Sequence, residues 1–281
     1  MKRIMTSSWS LHRSLGEVMY DWSDVRAEPK LARGGEGALN LLELPQNLAA
    51  RDIGMVELCH FHLPSLASAY LDELRGELDR CDVDLYSVLI DAGDVAHPDP
   101  AVRAEQVDWV RSWLEIAARL GARYARVIAG DALPSEECAL QDDNTVRASA
   151  DSLRALAQYA AELNLYVSTE NFRALGCHVG ALCAILDMCE GQVGLCADFG
   201  NFKGSGKYDD LAAILPRATS VHAKADFSGP GAMDREDFDC CLGLAVDAGF
   251  AGPYSLIFSS PGDEWEGLAH TRAAVESYIA E

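Results

Sequence analysis

Eight short apolar runs, each ending at the edge of a more polar segment, constrain the fold of this chain more than any other feature. They end near Trp9, Cys59, Asp91, Ala129, Glu170, Asp198, Lys224 and Phe258. Successive ends lie roughly 26–50 residues apart, the length a chain needs to pass through a helix and two loops and return as a parallel strand. The stretches between them carry helical periodicity. Over roughly 101–120, Val110, Trp113, Leu114, Ala117 and Leu120 share one face; Asp99 stands as N-cap, Pro100 takes the first helical position and Gly121 follows the end. Over about 145–163, Val146, Ala150, Leu153, Ala157 and Ala160 share a side, and Asn164 is the stop. Eight such βα units filling the length predict an α/β fold, a single closed (β/α)8 TIM barrel over residues 1–281. An open doubly wound sheet is the rival. Its glycine fingerprint is replaced here by Ser10-Leu11-His12-Arg13 after the first run. The segment Glu17 to Gly37, with Pro29 and Gly34-Gly35, reads as a long loop over the first βα junction.

Charge narrows the partners. Against 23 Lys and Arg stand 44 Asp and Glu, a formal net charge of −21 over 281 residues. Polyanion binding needs clustered cations to release counterions, so nucleic acid is not an expected partner, nor is an anionic membrane surface. A small-molecule substrate is, and a homo-oligomer is compatible with the composition. The nine cysteines form no CxxC pair, and Cys177, Cys183 and Cys189, six residues apart, would spread around a helix rather than gather on one metal-binding face. Buried reduced thiols and a cytoplasmic location are expected. The start of the chain has no signal-like apolar region, and no run approaches the ~18 residues of a membrane span.

In a barrel the chemistry lies where strands end, on the C-terminal rim. Val-Gly-Leu-Cys-Ala breaks into Asp198, Leu-Tyr-Val-Ser-Thr breaks into Glu170, and His222 and Lys224 fall on one side of their strand by its period of two. Glu170 shares its side with Ser168, and Asp198 with Cys196. Two carboxylates and an imidazole from three neighbouring strands suit Mn²⁺, Mg²⁺, Fe²⁺ or Zn²⁺ and leave positions open for water or substrate. The plainer alternative is that each caps a helix or pairs with an arginine.

Several segments carry a family resemblance. Ser8-Trp9-Ser10-Leu11-His12-Arg13, Val56-Glu57-Leu58, Asp91-Ala92-Gly93-Asp94, Gly121 to Gly130, Glu170-Asn171-Phe172, Asp198-Phe199-Gly200-Asn201-Phe202 and His222-Ala223-Lys224 together resemble the sugar phosphate isomerase/epimerase family. That family has a xylose isomerase-like barrel and is related to endonuclease IV. The resemblance implies a divalent metal held by a Glu of the fifth strand, an Asp of the sixth, a His of the seventh and a Glu of the eighth. By position the first three are Glu170, Asp198 and His222, with Asn201 and Lys224 near the substrate. The eighth strand departs: in Tyr254-Ser255-Leu256-Ile257-Phe258, Ile257 stands where the family shows its glutamate. In ketose epimerases that residue is both ligand and one of two bases. Weak metal retention and one-base chemistry on Glu170 follow, with Lys224 as acid or base, or as a ligand of a substrate oxygen. Trp9, His12, Glu57, His60 and His62 are further candidate substrate contacts. The expected activity is isomerase, epimerase or dehydratase chemistry on a sugar, inosose or keto-polyol. The alternative is a non-catalytic sugar-binding or partner-subunit protein of the same fold. DNA repair would require a richer histidine cluster and a basic groove.

Overall fold

The computed structural model describes residues 3–279. Its strands, in chain order, are β1 (Ile4–Ser7), β2 (Met19–Asp21), β3 (Lys30–Arg33), β4 (Met55–Cys59), β5 (Asp84–Ile90), β6 (Tyr124–Val127), β7 (Tyr166–Glu170), β8 (Val193–Asp198), β9 (Ser220–Lys224) and β10 (Tyr254–Ile257). The helices are α1 (Leu44–Ala49), α2 (Ser68–Arg80), α3 (Pro100–Leu120), α4 (Asn144–Glu162), α5 (Arg173–Gly176), α6 (Val179–Met188), α7 (Lys207–Ile214), α8 (Arg235–Asp247) and α9 (Glu264–Ile279). Eight strands close in the order β1-β10-β9-β8-β7-β6-β5-β4, every neighbouring pair parallel. This is the (β/α)8 barrel that the run spacing predicts. Among the described residues no helix is long and apolar enough to cross a membrane.

Strand alternation divides the barrel wall into two sets. Val56, Leu58, Val88, Ile90, Val127, Val167, Leu195, Val221 and Leu256 point outward into the core beneath the helices. The inward set changes character with height: Met5, Met55 and Tyr86 pack together as an apolar floor, with Tyr124 against them, whereas Glu57, Arg126, Glu170, Cys196, Asp198 and His222 are buried nearer the other end. The polar interior is therefore confined to one end of a barrel otherwise sealed by side chains.

The two helices read from periodicity are found nearly to the residue. In α3 the Asp99 carboxylate accepts the Ala101 and Val102 amides, the predicted five-residue stripe is buried, and Gly121 takes φ 80°, the left-handed C-terminal turn that a Cβ would strain. In α4 Asp143 caps Thr145 and Val146, and Asn164 turns the chain at φ 57°.

Two expectations need correction. Glu17 to Gly37 is not a simple loop: β2 and β3 pair antiparallel within it, with a register shift between Met19 and Tyr20. Trp22 tethers this hairpin, its indole donating to the Leu63 carbonyl while its own carbonyl accepts from Trp109. Strands of three and four residues are too short to reveal alternation, and their order comes from this anchoring. The cysteines are all unpaired, but only Cys59, Cys189, Cys196 and Cys241 are buried; Cys138 and Cys240 are exposed, because each lies on the solvent side of its segment.

Candidate active site

A cavity of about 600 Å³ opens at the C-terminal rim. Its walls include Trp9, Phe61, Phe172 and Ile257 on the apolar side and Glu170, Asp198, His222, Lys224 and Asn201 on the polar side. The hairpin contributes Met19, Tyr20, Asp21 and Ala32, so β2 and β3 cover part of the mouth.

Glu170 and Asp198 are the last residues of β7 and β8, and Asp198 pairs in register with His222 on β9. The His222 Nδ1 lies 3.6 Å from Glu170 Oε1 and 3.5 Å from Asp198 Oδ2. Its Nε2 is 2.9 Å from Glu57 Oε2 on β4. Both carboxylates take further donors: Asp198 Oδ1 accepts the Gly200 amide at 2.6 Å, and Glu170 Oε1, the oxygen nearest His222, also accepts Asn201 Nδ2 at 3.0 Å. Asn171 fixes the strand heights by pairing both its amide groups with the Asp198 backbone, at 2.7 and 2.9 Å. Gly200 leaves room for Lys224, whose Cδ would lie 2.7 Å from a Cβ at that position.

Electrostatics follow from crowding. Burial opposes a charge on His222, but the neighbouring Cys196, Glu57, Glu170 and Asp198 outweigh it and raise the ring well above its usual value. Burial likewise opposes ionisation of Asp198, and His222, Lys224 and the Gly200 amide outweigh it, holding the carboxyl below its usual range. The imidazole thus favours its charged form, with Glu57 at Nε2 and with Glu170 and Asp198 facing Nδ1, the side a cation would take.

The donor set fits a divalent ion. With Zn–N and Zn–O bonds of about 2.0–2.2 Å, ligand atoms of one tetrahedral shell stand about 3.4 Å apart. The two separations from Nδ1 match that edge and are too long for well-formed hydrogen bonds; the donors that all lie within 4.8 Å of one another are those of Glu170, Cys196 and His222, and Asp198 approaches this group at His222. Glu57 holds the far nitrogen of His222, the outer-sphere support typical of a ligating imidazole.

Arg126 on β6 also lines the cavity, and the sequence reading passes over it. Only 4% exposed, it meets Glu170 Oε2 at 3.0 Å through Nε and Asp91 Oδ1 at 2.5 Å through Nη2, and its guanidinium lies over Phe172. The contact with Glu170 is an ion pair without hydrogen-bond alignment. The available signal is one charged residue in Tyr124-Ala125-Arg126-Val127, facing inward by alternation.

The other expected contacts divide. Trp9, His60, Asn201, Lys224 and Ile257 line the cavity. Glu57 does not; it lies beneath, on His222. His12 and His62 also stand off the wall, paired with each other through Nδ1 and Nε2 at 2.9 Å, while His62 Nδ1 meets Ser8 Oγ at 2.8 Å. Ser8 Oγ also accepts the Cys59 amide and keeps its own proton available for His62 Nδ1, an arrangement in which His62 Nε2 donates to His12. Burial keeps these rings neutral: it lowers His12, and takes His62 to about 3 and His60 to about 4.

Residues 45–275 match the family model of the xylose isomerase-like TIM barrel. The chain belongs to that family. Sequence comparison with curated proteins gives no match. Among solved structures, the chain is similar to an L-ribulose 3-epimerase (TM-score 0.71, 16% identity, covering 100% of this chain and 96% of that one). It is similar to the IOLI protein with a bound zinc atom (TM-score 0.69, 15% identity, 99% and 100% covered). A third is a xylose isomerase-like TIM barrel protein from Mycobacterium smegmatis in complex with magnesium (TM-score 0.68, 14% identity, 100% and 97% covered). At these identities the likeness establishes the barrel and its closure.

Proposed function

We propose that this xylose isomerase-like barrel is a sugar or keto-polyol isomerase that works with a divalent metal at its rim. The observation that carries the reading is the approach of Glu170 and Asp198 to the Nδ1 of His222, at 3.6 and 3.5 Å, on the floor of a cavity with an apolar wall. Glu170, Asp198 and His222 would hold the ion, which when bound polarises a substrate carbonyl or hydroxyl. The neighbours in solved structures include an epimerase and proteins carrying zinc and magnesium, which supports this class of chemistry.

The chain's own residues account for the rest. Trp9, 37% exposed and stacked on His12 on one side, offers a flat apolar face to a sugar ring. Asn201 and Lys224 supply donors for substrate oxygens. Glu170 takes the proton from the carbon beside the carbonyl and returns it on the same face, because Ile257 opposite accepts no proton. One-sided transfer gives isomerisation or dehydration rather than two-base epimerisation. Arg126 and Asn201 fix both Glu170 oxygens, so the base is oriented before substrate arrives.

The experiment is solvent exchange. Ketoses, aldoses and inososes are incubated in deuterium oxide with Zn²⁺, Mn²⁺ or Mg²⁺, and carbon-bound deuterium is followed by NMR. Exchange that Glu170→Gln abolishes supports the proposal. Saturable sugar binding without exchange would favour instead the sugar-binding reading, to which Ile257 and the engagement of Glu170 by Arg126 lend weight.

A further inference from the structure

We propose that the thiol of Cys196 is the fourth metal donor of this site, making it a Glu, Asp, His, Cys centre that favours zinc or cobalt over magnesium and manganese. The inference rests on the metal-site reading above and names the donor that the eighth strand lacks.

Position comes first. Cys196 faces inward two residues before Asp198 on β8, and in register it stands beside Glu170 of β7. Glu170, Cys196 and His222, all buried, have donor atoms within 4.8 Å of one another. The sulfur therefore reaches the Glu170–His222 pair from the barrel floor, while Asp198 approaches the same imidazole from the rim, 3.5 Å from its Nδ1.

Competing donors are committed elsewhere. Ile257 occupies the eighth-strand position on the cavity wall. The next carboxylates along the chain turn away: Asp263 caps the Glu266 amide, and Glu264 accepts the Arg13 and Ser14 amides together with the Ser14 hydroxyl. Asp91 faces Arg126, and Glu57 holds the far nitrogen of His222. His60 Nδ1 accepts the Asp91 amide, and its ring lies edge-on to Trp109 and Trp113.

Charge and softness agree. A site with two carboxylates and one imidazole leaves a divalent ion neutralised and no more. A thiolate restores the third negative charge that a glutamate at position 257 would have supplied, and Arg126 beside Glu170 offsets the net −1 that results. Coordination breaks the S–H bond, forms a metal–sulfur bond and sends the proton to water. Thiolate selects zinc-like ions, whereas magnesium and manganese prefer oxygen.

Cobalt substitution of the full chain tests this directly. Native protein loaded with Co²⁺ should show a near-ultraviolet sulfur-to-cobalt charge-transfer band, lost in Cys196→Ser while cobalt remains bound. X-ray absorption of the zinc form, which needs no variant, should show one sulfur at about 2.3 Å. Zinc affinity should fall in Cys196→Ser by at least the ~10–100-fold that even an outer-shell partner costs. Cobalt bound with no such band, a band that survives Cys196→Ser, or zinc surrounded only by nitrogen and oxygen would overturn the inference and leave the metal reading standing. Failure of the native protein to bind cobalt or zinc would overturn both.

Discussion

Replacing Arg126 by methionine keeps the unbranched stem and removes the charge. Its partner Glu170 has a side chain only 4% exposed and loses its neutralising cation; Asp91, at 22%, is partly rehydrated. Breaking a buried pair from one side costs about 3–5 kcal/mol, most of it the orphaned charge. In a chain of this size that corresponds to a fall in Tm on the order of 10 °C. Glu170→Gln on the Arg126→Met background removes the orphan and should recover most of the loss, so the two substitutions are strongly non-additive. Zinc should also rescue Arg126→Met, raising its Tm more than it raises that of the native protein, because the ion supplies the missing positive charge. Calorimetric unfolding of the four proteins, with and without Zn²⁺, measures all three quantities. A loss below about 1 kcal/mol, or additive substitutions, would refute the view that Arg126 neutralises Glu170 in the metal-free protein.

Acid should weaken the fold through His60. Burial takes its ring to about 4, below the unfolded value near 6.5, so its contribution is complete above pH 6.5 and is lost as pH falls toward 4. Integrated over that window the loss is on the order of 3 kcal/mol; a urea midpoint that stays level from pH 7 to 4.5 would contradict it. Ile257→Glu should raise Mn²⁺ affinity by roughly tenfold or more, since it adds a hard anionic donor at the cavity wall; calorimetric titration showing no gain would mean that position 257 does not reach the ion. Trp22→Ala should speed amide exchange across residues 19–33 by releasing the hairpin from Leu63 and Trp109, and unchanged protection there would show that other contacts hold it.

Glu170 and Asp198 were legible because each interrupts an apolar run at a strand end, and His222 because the strand period of two puts it on the same side as Lys224. The α3 and α4 boundaries were legible because Asp99, Asp143, Gly121 and Asn164 satisfy or turn the helix ends locally. Arg126 was hidden because its partners, on β5 and β7, become neighbours only when the barrel closes. The histidines show a different limit. His12 follows one short 3₁₀ turn, and His60 and His62 lie on another, so the period of two that orders strand side chains does not apply. There, positions two apart diverge, one toward the cavity and the other toward His12. Cys196 was placed on the correct side of its strand, but its nearness to His222 depends on barrel stagger that no single strand encodes.

Asn171 imitates a peptide group. By exchanging both hydrogen bonds with the backbone of Asp198, it sets the relative height of the two carboxylate-bearing strand ends through main-chain geometry alone. The pocket's dimensions are then inherited from the β-sheet and owe nothing to the ion's arrival. Loading becomes a matter of exchange rather than of folding: protein prepared in chelated medium should accept an ion afterwards with little change in its backbone, and different ions should pass through the same frame in turn.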